Sequence, residues 1–177
     1  VQWLDSLPDE PFVGMILANE VLDALTIERF AIRSGEVNAL GVSSEFGQLQ
    51  LAEVRAASGL VAAVRRIEAD TGIALPDGYE SEVCTGLAPW FESIAYSLER
   101  GVLLFIDYGL PRREYYSAER TRGTLLCHFR HRFHEDALTR VGLQDITAWV
   151  DFTAVAAAAQ GAGCEVAGYT TQAHFLI

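Results

Sequence analysis

Residues 101–108 read Gly-Val-Leu-Leu-Phe-Ile-Asp-Tyr, followed by Gly109. The apolar run Val102–Ile106 is far short of the roughly 20 residues a membrane helix needs. It fits a strand buried on both faces of a parallel sheet. Polar residues arrive at once in Asp107-Tyr108, at the carboxyl edge of such a strand. Phe12–Ala18 (FVGMILA) is a second short apolar run, a strand or a buried helical turn, and it ends the same way in Asn19-Glu20. In open α/β sheets ligands bind outside the carboxyl ends of strands. Two such endings mark a candidate cleft.

Working outward, Thr26–Arg33 and Glu36–Val42 flank Ser34-Gly35 and read as a hairpin, with Gln48–Val54 as a third strand. Leu60, Val61, Val64, Ile67 and Glu68 follow helical spacing, with Gly72 as the C-terminal cap. Leu75–Tyr79 (LPDGY) is a turn. Phe91, Ile94, Ala95 and Leu98 recur at i, i+3, i+4 and i+7, which predicts a helix over Leu87–Arg100 that Gly101 ends. Gly123–Phe129 reads as a strand, followed by a polar stretch to Gly142. Asp151 reads as the N-cap of an Ala-rich helix, Phe152–Gln160, and Gly161-Ala162-Gly163 as its C-terminal stop. Cys164–Thr171 and Ala173–Ile177 read as two closing strands. The order is that of the second half of an α/β sheet carrying inserted β structure.

The 177 residues carry a net charge of −11, half of them are hydrophobic, and 21% are charged. That composition is too apolar for disorder. The length is that of one domain. The acidic balance argues against a nucleic-acid partner, which would require a basic footprint. No run is long enough to span a membrane, and with no basic n-region and apolar h-region at its start a signal peptide is not expected. Cys84, Cys127 and Cys164 are odd in number and widely spaced, so a disulfide scaffold is not expected and a reducing, cytoplasmic compartment is. Val1-Gln2-Trp3-Leu4 reads like mid-domain sequence, which suggests a longer protein.

Within Asn19-Glu20-Val21-Leu22-Asp23, a helical turn would place Glu20 and Asp23 on one face. Carboxylates there can hold a cation or take its proton. They equally suit a helix N-terminus, with Asn19 as cap. Asp107 and Tyr108 either shape the same cleft or form a strand-to-loop turn. Cys127-His128, His131 and His134 match no closed zinc pattern, His131 would face away from His128, and Arg130 and Arg132 oppose a cation, so no metal is expected. That segment reads as a basic, aromatic loop near the cleft. Arg112–Tyr116 and Arg120 form either a lid or a solvated loop. Gly161–Gly163 closes a helix rather than opening one, so it is no phosphate loop. No G-x-S-x-G nucleophile motif occurs.

Trp3-Leu4, Leu7-Pro8, Phe12, Gly14 and Ala18–Leu25 together resemble the N-E-x-x-D-A-L segment of the MidA/NDUFAF7 family of S-adenosylmethionine-dependent methyltransferases. Glu82, Trp90, Arg100-Gly101, Ile106–Gly109, Glu114–Tyr116, Arg120, Gly123–Leu125, Arg130–Arg132, Gln144–Thr147, Val150–Thr153, Gln172 and Phe175-Leu176 extend that resemblance in order. It implies a Rossmann-like class I sheet with a reversed closing hairpin. Phe12–Ala18 and Gly101–Tyr108 would be its fourth and fifth strands. Insertions would fall at about 26–54 and 123–150, within a single partial domain covering 1–177. The resemblance further implies S-adenosylmethionine as cofactor, a protein arginine as methyl acceptor, and a role linked to assembly of respiratory complex I. Glu20, then Asp23, are the expected catalytic clamp on a guanidinium, with Asn19 toward the cofactor. Glu82, Asp107, Tyr108, Arg130, His131, Gln144 and Asp145 are the expected substrate-binding residues.

Several features depart from that family's pattern, including the ribose-binding acid expected upstream of Val1 and two prolines expected around Asp136-Ala137 and Val141-Gly142. Its glycine-rich cofactor loop has no counterpart after Val1, and its usual D-A-L-P reads Asp23-Ala24-Leu25-Thr26 here. The chain alone is therefore expected to be inactive and to cover an exposed sheet edge by pairing with a second copy. A non-catalytic protein-interaction module on the same fold is the alternative, and a nicotinamide oxidoreductase the third reading. The closing hairpin favours a methyltransferase over an oxidoreductase. An upstream glycine loop would favour an enzyme over a module.

Overall fold

The computed structural model describes residues 3–177, so the reading of Val1-Gln2 lies outside the described residues. β1 (Phe12–Asn19) and β6 (Leu98–Ile106) pair in parallel, with Met15 opposite Val102 and Asn19 opposite Ile106. The two runs that marked the cleft are therefore neighbours. Their carboxyl ends lie side by side.

Between them, β2 (Glu28–Arg33), β3 (Glu36–Glu45), β4 (Gln48–Arg55) and β5 (Glu80–Val83) form an antiparallel sheet in the order β4-β3-β2-β5. α1 (Ser58–Thr71) packs Leu60, Val64 and Ile67 onto Phe30, Ile32 and Val37 of that sheet. Gly72 ends α1 in the left-handed conformation, its N–H donating to the Glu68 carbonyl. Tyr79, Tyr115 and Tyr116 complete this core.

A second core lies beneath β6. It joins Leu87 and Phe91 of α2 (Leu87–Tyr96) to Leu22, Val150 and Val155. Leu103 and Phe105 of β6 pack against it, with the Phe91 and Phe105 rings 5.2 Å apart. β7 (Gly109–Leu110), α3 (Arg112–Tyr115), β8 (Leu126–Phe129), β9 (Arg132–His134), β10 (Asp145–Thr147), β11 (Val150–Asp151), α4 (Phe152–Gly161) and α5 (Gln172–Phe175) complete the chain. β8 lies between β10 and β9 in a small antiparallel sheet, and β11 pairs with β7 in parallel. The protein is mixed α/β.

Several expectations are corrected. The β1–β6 pair is buried on one face only. Val13, Met15, Leu17 and Val102 are each more than half exposed, because α2 and α4 both pack on the other side. The helix predicted to Arg100 stops at Tyr96. Leu98–Arg100 instead enter the ladder with β1, and the Phe12 N–H donates to the Ser97 carbonyl at 3.0 Å. The two closing strands are not formed. Cys164–Thr171 has no regular secondary structure, and Gln172–Phe175 is helical. A strand needs a ladder partner for its backbone groups, and none lies beside this exposed segment among the described residues; Tyr169 packs on Phe152 instead.

Candidate functional site

No helix begins at Asn19, contrary to one sequence reading. Glu20 is in the left-handed region at φ 51°, and its N–H donates to the Ile106 carbonyl at 2.9 Å. The chain then curls around the Asp107 side chain. Asp107 Oδ2 accepts the backbone N–H groups of Val21, Leu22 and Asp23 at 3.2, 2.9 and 3.2 Å, while Oδ1 accepts the Tyr108 N–H at 2.8 Å. A charged carboxylate receiving several N–H groups makes strong hydrogen bonds. The strand end of β6 thus shapes the loop that follows β1.

That loop gathers acidic groups. Burial first, then the Asp107 and Glu20 carboxylates, hold the Asp23 carboxyl above its ordinary value of 3.8. The Glu20 carboxylate beside Tyr108 raises that hydroxyl, chiefly by its charge and then by hydrogen bonding. Asn19 and Glu20 are exposed, and Tyr108 is 63% exposed. Glu20, Asp23, Asp107 and Tyr108 therefore meet at the carboxyl ends of β1 and β6.

Glu82 lies elsewhere. It is 1% exposed, on β5. Its Oε1 accepts from the Tyr115 hydroxyl at 2.8 Å, the Thr124 N–H at 2.7 Å and the Thr124 hydroxyl at 2.6 Å. The Tyr116 hydroxyl donates to its backbone carbonyl at 3.0 Å. Burial, then the Glu82 charge, push the Tyr115 hydroxyl far up, so it stays a donor. Gly123 has φ 70°, and a Cβ there would fall on Glu82 Oε2, striking this carboxylate. Glu82, Leu22, Tyr115, Trp149 and Asp151 line one narrow cleft.

The remaining expected substrate residues are scattered. Arg130 and His131 form the two-residue turn between β8 and β9, both with positive φ, as a twisted hairpin turn requires. His131 is thus not on a strand, and His134 is the residue opposite Cys127. The Arg130 guanidinium stacks over Phe129. Gln144 donates to the carbonyls of Asp136 and Ala137, closing that loop, and Asp145 opposes His128 in the β10–β8 ladder. Among the described residues no three His, Cys, Asp or Glu side chains converge as metal ligands. No helix among them is long and apolar enough to cross a membrane.

Asp151 is the N-cap of α4. Its Oδ1 accepts from Thr153 and Ala154, and its Oδ2 accepts Arg112 Nε at 2.8 Å. Arg112 also pairs with Asp70 of α1. Burial works against its charge, but the bonds to Asp151 and Asp70 outweigh that and raise its affinity for the proton. Within Gly123–Leu125 no sequence signal singled out Thr124, because it acts through its backbone N–H and a single hydroxyl.

A search of the curated proteins finds no match. A crystal structure of a COG1565 superfamily member from Burkholderia thailandensis, bound to S-adenosyl-homocysteine, superimposes with a TM-score of 0.89 at 40% identity. A native structure of an uncharacterized COG1565 superfamily protein from the same organism gives the same two values. Each alignment covers 99% of this chain but only 44% and 46% of the solved chains, so this chain spans less than half their length. The family model Methyltransf_28, described as "Putative S-adenosyl-L-methionine-dependent methyltransferase", matches residues 1–170. With nearly its whole length matched, the chain belongs to that methyltransferase family.

Proposed function

We propose that this chain is the acceptor side of an S-adenosylmethionine-dependent methyltransferase of the MidA/NDUFAF7 type, with a Rossmann-like class I core, acting on a protein arginine in assembly of respiratory complex I. The observation that carries the reading is the meeting of Glu20, Asp23 and Tyr108 at the carboxyl ends of β1 and β6 around Asp107. Ligands of open α/β sheets bind at such ends.

The donor set suits the cofactor at one point. Asn19 is exposed where β1 ends and offers an amide to its polar groups. When bound, S-adenosylmethionine supplies an electrophilic methyl group on a sulfonium. The residues of this chain act on the acceptor. A guanidinium is permanently protonated in water. Glu20, exposed and beside the Tyr108 hydroxyl, is suited to clamp it through paired N–H···O bonds and to aim one nitrogen. Asp23, whose proton affinity is raised, is suited to take the proton that nitrogen sheds. Asp107 holds the loop and is not itself free, since both its oxygens are engaged by backbone N–H groups.

The same reading carries a bacterial, cytoplasmic setting and a second copy over the exposed face of β1 and β6. The test uses the full-length protein. Calorimetry should detect S-adenosyl-homocysteine, and labelled S-adenosylmethionine with a cell extract should yield methylarginine on acid hydrolysis. Absence of cofactor binding would replace catalysis with the interaction-module reading. Binding with label on a residue other than arginine would overturn the acceptor.

A further inference from the structure

The Glu82 carboxylate is buried with its contacts on Oε1, while Oε2 has no hydrogen-bond partner among the described residues. The Thr124 hydroxyl donates to Glu82 Oε1 at 2.6 Å, and its oxygen lies 3.0 Å from the Tyr115 hydroxyl. The Thr124 oxygen accepts the Trp149 N–H at 2.9 Å. The neighbouring Ala148 N–H donates to the Asp23 carbonyl at 3.2 Å. The buried carboxylate is thereby linked, through Thr124 and the Ala148-Trp149 backbone, to the loop that carries Glu20 and Asp23. Gly123 is required by the same carboxylate, for a Cβ would strike it.

We propose that Glu82 is a positioning residue: it fixes the Ala148-Trp149 segment against the Asp23 loop, and so shapes the acceptor side of the site without touching the acceptor. The inference rests on the methyltransferase reading for its consequence in activity, but not for its geometry. A positioning role needs an acceptor oxygen at this place. A clamp on a cationic substrate would need the charge. Glu82→Gln separates the two, because its amide oxygen can still accept the Tyr115 and Thr124 protons.

The experiment compares Glu82→Ala, Glu82→Gln and Thr124→Val in the full-length protein. Hydrogen exchange by mass spectrometry reads the peptides over residues 145–151 and 12–19. In Glu82→Ala and Thr124→Val, exchange over 145–151 should rise roughly tenfold, the scale of one lost hydrogen bond, while 12–19 stays unchanged. Glu82→Gln should behave as wild type. Thr124→Val carries the test if Glu82→Ala does not fold. Turnover of an arginine-rich peptide should show a raised KM for the peptide in Thr124→Val, with kcat and S-adenosyl-homocysteine affinity kept. Unchanged exchange over 145–151, or Glu82→Gln failing as Glu82→Ala does, would overturn the positioning role. Wild-type protein that binds the cofactor but leaves the peptide unmethylated would overturn the arginine reading alone, and the exchange data would still decide the role of Glu82.

Discussion

Asp107 accepts the backbone N–H of Leu22 at 2.9 Å across 85 positions of sequence, and with it the flanking N–H groups of Val21 and Asp23. One side chain at the end of β6 therefore sets the shape of the loop after β1. Replacing Asp107 by Ala leaves four N–H groups without their acceptor, those of Val21, Leu22, Asp23 and Tyr108. Bonds to charged groups contribute about 1.5–3 kcal/mol, so Asp107→Ala should lower unfolding stability by about that amount. Urea denaturation checks this, and an unchanged midpoint would deny the loop its anchor.

Glu20→Gln should keep stability, because Glu20 is exposed. Turnover of the full-length enzyme should fall by about 10²-fold or more if the carboxylate clamps the acceptor. Normal turnover in a steady-state assay would remove Glu20 from the catalytic machinery.

Asp23 gives a pH dependence of definite sign. Its folded-state value is raised above 3.8 by burial and by the Asp107 and Glu20 charges. The folded state thus favours its protonated form. The associated stability is present in full below 3.8 and is lost as pH rises through the raised folded value. Asp23→Asn should therefore be more stable than wild type at neutral pH. The difference should shrink through the raised value and vanish below 3.8, as paired denaturation curves would show.

Gly101→Ala tests the close approach of β1 and β6. Gly14 and Gly101 are register partners, and a Cβ at Gly101 would run into the Gly14 carbonyl. Overpacking costs about 1–3 kcal/mol. Because backbone rather than a flexible side chain must yield, the upper end is expected, read as a lowered Tm.

Asp151→Ala removes an N-cap and leaves Arg112 with one partner in place of two. A lost cap costs about 1 kcal/mol, and breaking a buried ion pair about 3–5 kcal/mol. Asp151→Asn keeps a capping oxygen, so its loss should be smaller. Equal losses in the two variants would assign the effect to the ion pair.

Much of this architecture was legible from local pattern. The apolar runs of β1 and β6, the hairpin through Ser34-Gly35, the third strand β4, the Leu60-Val64-Ile67 face of α1, its Gly72 cap and the Asp151 cap all follow from periodicity and local hydrogen bonding. The end of α2 was not legible. Leu98 continues the helical spacing of Phe91 and Ile94, yet pairing with Phe12 draws it into the sheet. The tail was misread because its apolar alternation suits a strand, but a strand needs a neighbour.

The sequence by itself determined that Glu20, Asp23, Asp107 and Tyr108 stand just past the carboxyl ends of two strands, because that is local to two short runs of chain. Only the tertiary structure decided what the residues do there. Asp107 turned out to be bound up in holding the loop, Glu82 to be buried against Tyr115 and Thr124, and Arg130 and His131 to stand at a hairpin tip. The reason is physical: a carboxylate's role is set by the N–H and O–H groups that reach it, and here several of those come from scores of residues away.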